Sequence, residues 1–216
     1  MSFLLGAPYA RVVLLTGPSG SGKSSLAART GLPVLRLDDF YKEATDASLP
    51  QLPDGGGADW DSPLSWDAAA ALAAVEELCR TGRTAVPDYD IASSSRVGEG
   101  KLELAGAPLF IAEGIFAAEI VADCRAAGVL ADALCLRGRA TTTFRRRLLR
   151  DLREARKPAG YLVRRGLRLL RAERSVVARQ TALGAYACAK PEALARIAAA
   201  APGPRTPAPR ETGRTA

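Results

Sequence analysis

Nine consecutive residues carry the densest chemistry in this chain: Gly17-Pro18-Ser19-Gly20-Ser21-Gly22-Lys23-Ser24-Ser25. The spacing G-x-x-x-x-G-K-[ST] marks a phosphate-binding loop when a strand precedes it and a helix follows. Both flanks are present. Val12-Val13-Leu14-Leu15 is an apolar run, and Leu26-Ala27-Ala28-Arg29 favours a helix. Gly17, Gly20 and Gly22 let the backbone turn where larger residues cannot and come close to an anion. The amides of the loop, from Gly17 through Ser19, Ser21 and Ser25, then face phosphate, and the helix adds its positive end. Lys23 is expected to reach the β- and γ-phosphates, and the Ser24 hydroxyl to bind Mg²⁺. A chance glycine-rich turn is the alternative, and the complete pattern with both flanks argues against it. The expected ligand is a nucleoside triphosphate.

Two carboxylates end apolar strands. Asp38 follows Pro33-Val34-Leu35-Arg36-Leu37, and Glu113 ends Leu109-Phe110-Ile111-Ala112. In open α/β sheets, ligands bind at the C-terminal ends of strands. A group that phosphorylates a hydroxyl gains from a carboxylate beside the acceptor oxygen, to orient it and take its proton. Asp38 is the candidate base; the plainer reading is a turn or helix cap. Glu113 has the Walker-B arrangement and is expected to serve Mg²⁺ or the acceptor. Its plainer reading is a surface acid. Histidine is absent, so any general base is a carboxylate or another group. Asparagine is absent too, which excludes the Asn-Lys-x-Asp guanine-reading motif of GTP-binding switch proteins.

The third constellation is basic. Thr141 to Arg156 reads as a helix carrying Arg145, Arg146, Arg147, Arg150, Arg153 and Arg156. Helical spacing puts Arg146, Arg150 and Arg153 on one face. A lid that places guanidiniums on the triphosphate is one reading, because arginine binds phosphate with a planar, permanently charged fork. A solvated basic face that touches nucleic acid is the other. No aromatic residues alternate with these arginines, which favours the lid and disfavours nucleic acid.

Strands alternating with helices must position these groups. Strands are expected at 11–16, 33–37, 109–113 and 133–136, with a short edge strand at 101–104. Helices are expected at 22–30, 67–80, 117–127, 161–180 and 191–200, with Asp67 as an N-cap. Residues 43–66 read as a long irregular loop of the kind that carries function. This alternation argues a three-layer α/β fold: a parallel sheet between helices, with the arginine helix as a lid near 141–160. One domain over 1–201 and a disordered Pro/Arg/Thr-rich tail from 202 complete the expectation. The length of 216 residues suits one domain. A net charge of +7 and a pI of about 9.6 suit an anionic ligand without naming it. No apolar run is long enough to cross a bilayer, and no secretion signal is evident. The four cysteines, Cys79, Cys124, Cys135 and Cys188, lack metal-type spacing and read as buried thiols of a cytoplasmic protein.

Together these motifs resemble the uridine/cytidine kinase family within the phosphoribulokinase and uridine kinase group. The resemblance runs from about residue 11 to 157. Leu37-Asp38-Asp39-Phe40-Tyr41-Lys42 is similar to the family's Asp-Ser-Phe-Tyr-Lys/Arg segment, whose Asp is the catalytic base. Asp59-Trp60-Asp61-Ser62-Pro63 resembles Asn-Phe-Asp-His-Pro, which implies that Asp61 binds ribose hydroxyls and that Trp60 replaces a Phe. Pro87-Asp88-Tyr89-Asp90 resembles Pro-x-Tyr-Asp, which implies that Tyr89 lines the nucleoside site with Tyr41. Ala112-Glu113-Gly114-Ile115 is similar to the family's Glu-Gly-Ile segment. Arg146-Arg147-Leu148-Leu149-Arg150-Asp151 is similar to its lid, which implies catalytic roles for Arg146 and Arg150. Arg96 matches the Arg of the family's His-Ser-Arg, but Ser94 stands where the family has its base-facing His.

The resemblance implies a kinase that uses ATP and Mg²⁺, with the 5′-hydroxyl of a pyrimidine nucleoside as acceptor. Ser94 keeps a second reading open, a kinase of the same fold for a sugar phosphate, a pantothenate-like molecule or another small hydroxyl acceptor. A non-enzymatic nucleotide-dependent regulatory or nucleic-acid-binding module is the third. The sequence allows a homo-oligomer.

Overall fold

The computed structural model describes residues 8–53, 55–137 and 174–201. The arginine helix, including Arg146, Arg150 and Arg153, most of the second basic helix, and the tail lie outside the described residues.

Five short apolar segments form one parallel sheet. They are β1 (Arg11–Thr16), β2 (Val34–Arg36), β5 (Leu109–Glu113), β6 (Leu130–Leu136) and β7 (Tyr186–Cys188), in the order β2-β5-β1-β6-β7. These strands are apolar on consecutive residues because both faces of the sheet are covered. On one face, Val13, Leu15, Ile111 and Leu134 pack against Leu26 and Ala27 of α1 (Lys23–Thr30) and Ile197 of the C-terminal helix, Lys190–Ala200. On the other, Val12, Leu14, Phe110 and Ala112 pack against Val75 and Leu78 of α2 (Ala68–Thr81) and Val121 and Cys124 of α3 (Val121–Ala126). Residues 174–182 form α4, so Lys190–Ala200 is α5. Helix, sheet and helix make the three layers that the alternation predicts.

Local rules set most boundaries. The Asp67 carboxylate accepts from the Ala70 amide and caps α2. Gly31 and Gly82 end α1 and α2 in the left-handed conformation. All four cysteines are buried thiols, which burial pushes up to about 11 or 12. Among the described residues, no helix is long and apolar enough to cross a membrane.

Two expectations are corrected. The edge strand at 101–104 is the end of β4 (Ser95–Glu103), which pairs antiparallel with β3 (Arg83–Asp90) as a hairpin outside the main sheet. The turn signal lay in Asp90, whose carboxylate accepts from the Ala92 and Ser93 amides and the Ser93 hydroxyl. The helix expected at 117–127 begins as a 3₁₀ turn, Ala117–Ile120, before α3. The order of strands also matters for the site. β5 lies between β1 and β2, so Glu113 separates the phosphate-loop strand from the strand that leads to Asp38.

Candidate active site

The loop after β1 takes the conformation that its glycines predict. Gly17, Gly20 and Gly22 have φ values of 138°, 80° and 90°, a region that other residues rarely enter. Gly17 is also held by contact: a β-carbon there would stand 2.7 Å from the Leu136 carbonyl oxygen at the tip of β6. The loop closes through the Ser21 amide, which donates to Pro18 O at 3.1 Å. Gly22 caps α1 with no side-chain partner, which leaves the helix N-terminus turned to the loop. Lys23 is buried, and its Nζ donates to Gly17 O at 3.1 Å, so the ammonium folds back over the loop. Ser19 and Gly20 are partly buried in the loop, and Ser24 and Ser25 are exposed on the first turn of α1.

Glu113 comes to the same place from β5. It is 5% exposed, yet its Oε2 has no hydrogen-bond partner. Burial pushes the Glu113 carboxyl up, while a hydrogen bond from Ser24 and the Lys23 charge pull it down and the Asp38 charge raises it. Ser24, Lys23, Glu113 and Asp38 therefore share one neighbourhood. A buried carboxylate oxygen without a partner is costly, and so is the buried Ser21 Oγ, also without one. The Ser24 hydroxyl and the Glu113 carboxylate form an all-oxygen donor set. That set fits a hard divalent cation that takes one or two protein oxygens and completes its shell with phosphates and water.

Asp38 sits in the 3₁₀ turn Leu37–Phe40 that follows β2. Its Oδ1 accepts from the Ile115 amide at 2.9 Å. The Thr16 hydroxyl, at the end of β1, donates to the Ile115 carbonyl at 3.0 Å. The Gly114 amide donates to Leu15 O at 3.2 Å. The segment Glu113-Gly114-Ile115 thus ties the Asp38 turn to the strand that carries the phosphate loop. The neighbouring Asp39 pairs with Arg36 at 3.1 Å.

The residues expected to hold an acceptor gather around Tyr41. Its ring packs edge-on against Trp60 at 6.0 Å and against Phe116 at 5.9 Å, and lies tilted to Tyr89 at 6.1 Å. Burial raises the Tyr41 phenol, and the charges of Asp38 and then Asp61 raise it further. Asp38 and Asp61 therefore lie near one ring. Asp61 is exposed, with its amide donating to the Asp59 carboxylate at 3.1 Å. The Tyr89 hydroxyl donates to Lys42 O at 3.0 Å and pins the hairpin to the segment after Asp38. Arg96 departs from this group: it faces Asp67 at 3.7 Å, beside the start of α2.

Sequence reasoning missed Phe116 and gave Trp66 only a place in the loop. The Trp66 ring lies tilted against Phe116 at 6.0 Å, and its buried Nε1 donates to Leu37 O at 2.7 Å, which fixes the backbone one residue before Asp38. An aromatic residue directly after Glu-Gly-Ile was the available signal for Phe116.

No family model matches the chain. The fold is similar to the crystal structure of a candidate fructose transport system kinase from Silicibacter sp. TM1040, with a TM-score of 0.54 and 18% identity, over 82% of this chain and 88% of that one. A candidate uridine kinase from Bacillus stearothermophilus aligns with a TM-score of 0.45 and 19% identity, over 62% of this chain and 74% of that one. In sequence, the chain is 32% identical over 111 residues to a protein named inorganic pyrophosphatase TTM2 from Arabidopsis thaliana. That match covers 49% of this chain and only 15% of that protein's length.

Proposed function

We propose that the chain is an ATP- and Mg²⁺-dependent kinase of a small-molecule hydroxyl, built on a single domain over 1–201. The observation that carries this is the meeting of three groups at one end of the sheet: the Lys23 loop, the buried Glu113 carboxylate with its unpartnered Oε2, and the Asp38 turn. A nucleotide-binding module needs the first two. It has no use for a second carboxylate held by the segment that follows Glu113.

In this reading the loop amides and Lys23 hold the β- and γ-phosphates. Ser24 and Glu113 hold the Mg²⁺, which supplies charge neutralisation on the phosphates. Asp38 orients the acceptor hydroxyl and takes its proton as the acceptor oxygen bonds the γ-phosphorus. The bond from that phosphorus to the β-phosphate oxygen breaks, and ADP leaves. Asp61, Trp60, Tyr41 and Tyr89 form the acceptor side. Arg146 and Arg150 neutralise the transferring phosphoryl. Buried free thiols suit a cytoplasmic setting.

The family resemblance makes the 5′-hydroxyl of a pyrimidine nucleoside the first acceptor to test. Ser94 favours a second acceptor class. It sits in the turn of the hairpin at φ 50°, where its hydroxyl lies 3.5 Å from Ile91 O and also hydrogen-bonds Tyr89, and it is too short to reach a base edge as an imidazole does. A coupled ADP-release assay with uridine, cytidine, fructose, a sugar phosphate and pantothenate tests both. Acceptor-dependent ADP release that disappears in Asp38→Asn, with ATP affinity kept, supports the kinase. Release that no acceptor stimulates, or a fully active Asp38→Asn, defeats it.

A further inference from the structure

Gln180 belongs to α4, far in sequence from every motif, yet it is 5% exposed and hydrogen-bonded at both ends of its amide. Its Nε2 donates to the Ile115 carbonyl at 2.8 Å. Its Oε1 accepts from the Cys135 thiol on β6 at 3.1 Å. The Ile115 carbonyl thereby takes two donors, Gln180 Nε2 and the Thr16 hydroxyl. The amide of the same residue donates to Asp38 Oδ1. A continuous chain runs from the Cys135 thiol through Gln180 and Ile115 to the Asp38 carboxylate.

We infer that Gln180 is a positioning residue for Asp38, acting through Ile115; this rests on the kinase reading above. Within this series of bonds, Ile115 makes the direct link to the carboxylate. Its amide and its carbonyl lie in successive peptide planes joined at the Ile115 Cα, so the two hydrogen bonds that hold the carbonyl restrain the amide through that one pair of torsions. A primary amide suits the position because it donates to a carbonyl and accepts from a thiol at once. A carboxylate at the same place accepts from Cys135 but offers no proton to Ile115. A thioether of similar length offers neither. Gln180 itself is buried, so leaving either end of its side chain without a partner is costly. The site also has a reason to need this support. Asp38 sits on a four-residue 3₁₀ turn after a three-residue strand, elements too short to hold a side chain by themselves.

The test uses Gln180→Glu and Gln180→Met in the full chain, with Arg179→Gln as a neighbour whose exposed pair with Glu119 lies outside this chain of bonds. Hydrogen exchange is read at the Ile115 amide, with Val13 and Leu14 of β1 as reference. Both Gln180 variants are expected to speed Ile115 exchange by about tenfold or more while β1 exchange holds. With the best acceptor of the panel, kcat is expected to fall by about 10- to 100-fold while the KM for ATP stays within about twofold. Arg179→Gln is expected to match the wild type in both. Unchanged Ile115 exchange in the Gln180 variants overturns the inference, and so does faster exchange with unchanged kcat. If Gln180→Met fails to fold, Gln180→Glu, which keeps the volume, decides. A wild-type chain inactive on every acceptor defeats the kinase reading alone, and the exchange arm still decides whether Gln180 holds Ile115.

Discussion

Gly114 lies so close to Asp38 that a β-carbon on it would stand 3.0 Å from the carboxylate Oδ1 and 2.8 Å from Leu37 Cβ. Its backbone is not in the left-handed region, so contact alone demands glycine here. Gly114→Ala must therefore push the Asp38 turn away or tilt the Glu113–Ile115 segment. The expected result is a kcat at least about tenfold lower, from a displaced reacting group. Overpacking should also cost about 1–3 kcal/mol of stability. ATP affinity, measured by titration calorimetry, should stay near that of the wild type, because the nearest atoms that the new β-carbon meets belong to Leu37 and Asp38 and not to the phosphate loop. Equal losses of ATP affinity and kcat would show that the substitution disturbs the phosphate loop instead.

Glu113 invites a second substitution. Its buried Oε2 has no partner, and its neighbours are Ser24, Lys23 and Asp38. Glu113→Gln keeps the volume and removes the charge. The Mg²⁺ concentration for half-maximal activity should rise by about tenfold or more. The loss should be recovered in part at high Mg²⁺. A curve that overlays the wild type would remove Glu113 from the cation site.

Much of this was legible in the residues. The phosphate loop was readable because a local pattern of glycines dictates its conformation, and Gly17, Gly20 and Gly22 adopt the predicted φ values. The place of Glu113 was readable because a strand end is itself a local feature, whereas Asp38, expected at the end of a strand over 33–37, lies in the 3₁₀ turn that follows the shorter β2. What escaped reading was long-range. Nothing local says that β5 inserts between β1 and β2, so the path from the loop to Asp38 through Glu113-Gly114-Ile115 was hidden. The hairpin was hidden for a different reason. β3 carries a proline and β4 two glycines, Gly98 and Gly100, all poor strand formers, so Pro87 obscured a ribbon that pairs over eight positions. Gln180 carried no signal at all, since its role depends on where α4 packs.

Asp39 gives a pH-dependent prediction. Burial raises its carboxyl above the model-peptide value of 3.8; Arg36 lowers it, and the charges of Asp38, Asp88 and Glu113 raise it again. A carboxyl raised on folding favours the folded state below the unfolded value, and that contribution is lost as pH rises through the folded value. The ionised Asp39 is thus a burden at neutral pH. Asp39→Asn should raise Tm by a few degrees, about 2–4 °C, at pH 7. The gain should shrink as pH falls towards 3.8 and vanish by about pH 2.5, where both states are protonated. The lost pair with Arg36 should offset little, since Arg36 is 67% exposed. Thermal unfolding followed by circular dichroism at the two pH values checks this. A gain that persists at about pH 2.5 would assign the effect to packing rather than charge.

In the proposed reading, Tyr41 belongs to the acceptor side and not to the nucleotide side. Its ring touches Trp60, Tyr89 and Phe116, which come from the long loop, the hairpin and the turn after β5. None of these belongs to the phosphate loop. Its hydroxyl reaches Trp60 O at 3.4 Å, a long and weak hydrogen bond. The ring should therefore matter and the hydroxyl should not. Tyr41→Phe should leave both KM values within about twofold of the wild type. Tyr41→Ala removes the centre of the aromatic group, and each aromatic pair it breaks carries about 0.5–1.5 kcal/mol beyond area burial. The KM for the acceptor should rise by about tenfold, while the KM for ATP and the dissociation constant for ADP hold. A change confined to ATP would place the aromatic group against the nucleotide and reverse the assignment of the two sides. A large effect of Tyr41→Phe would instead mark the hydroxyl, in the neighbourhood of Asp38 and Asp61, as a direct contact of the acceptor.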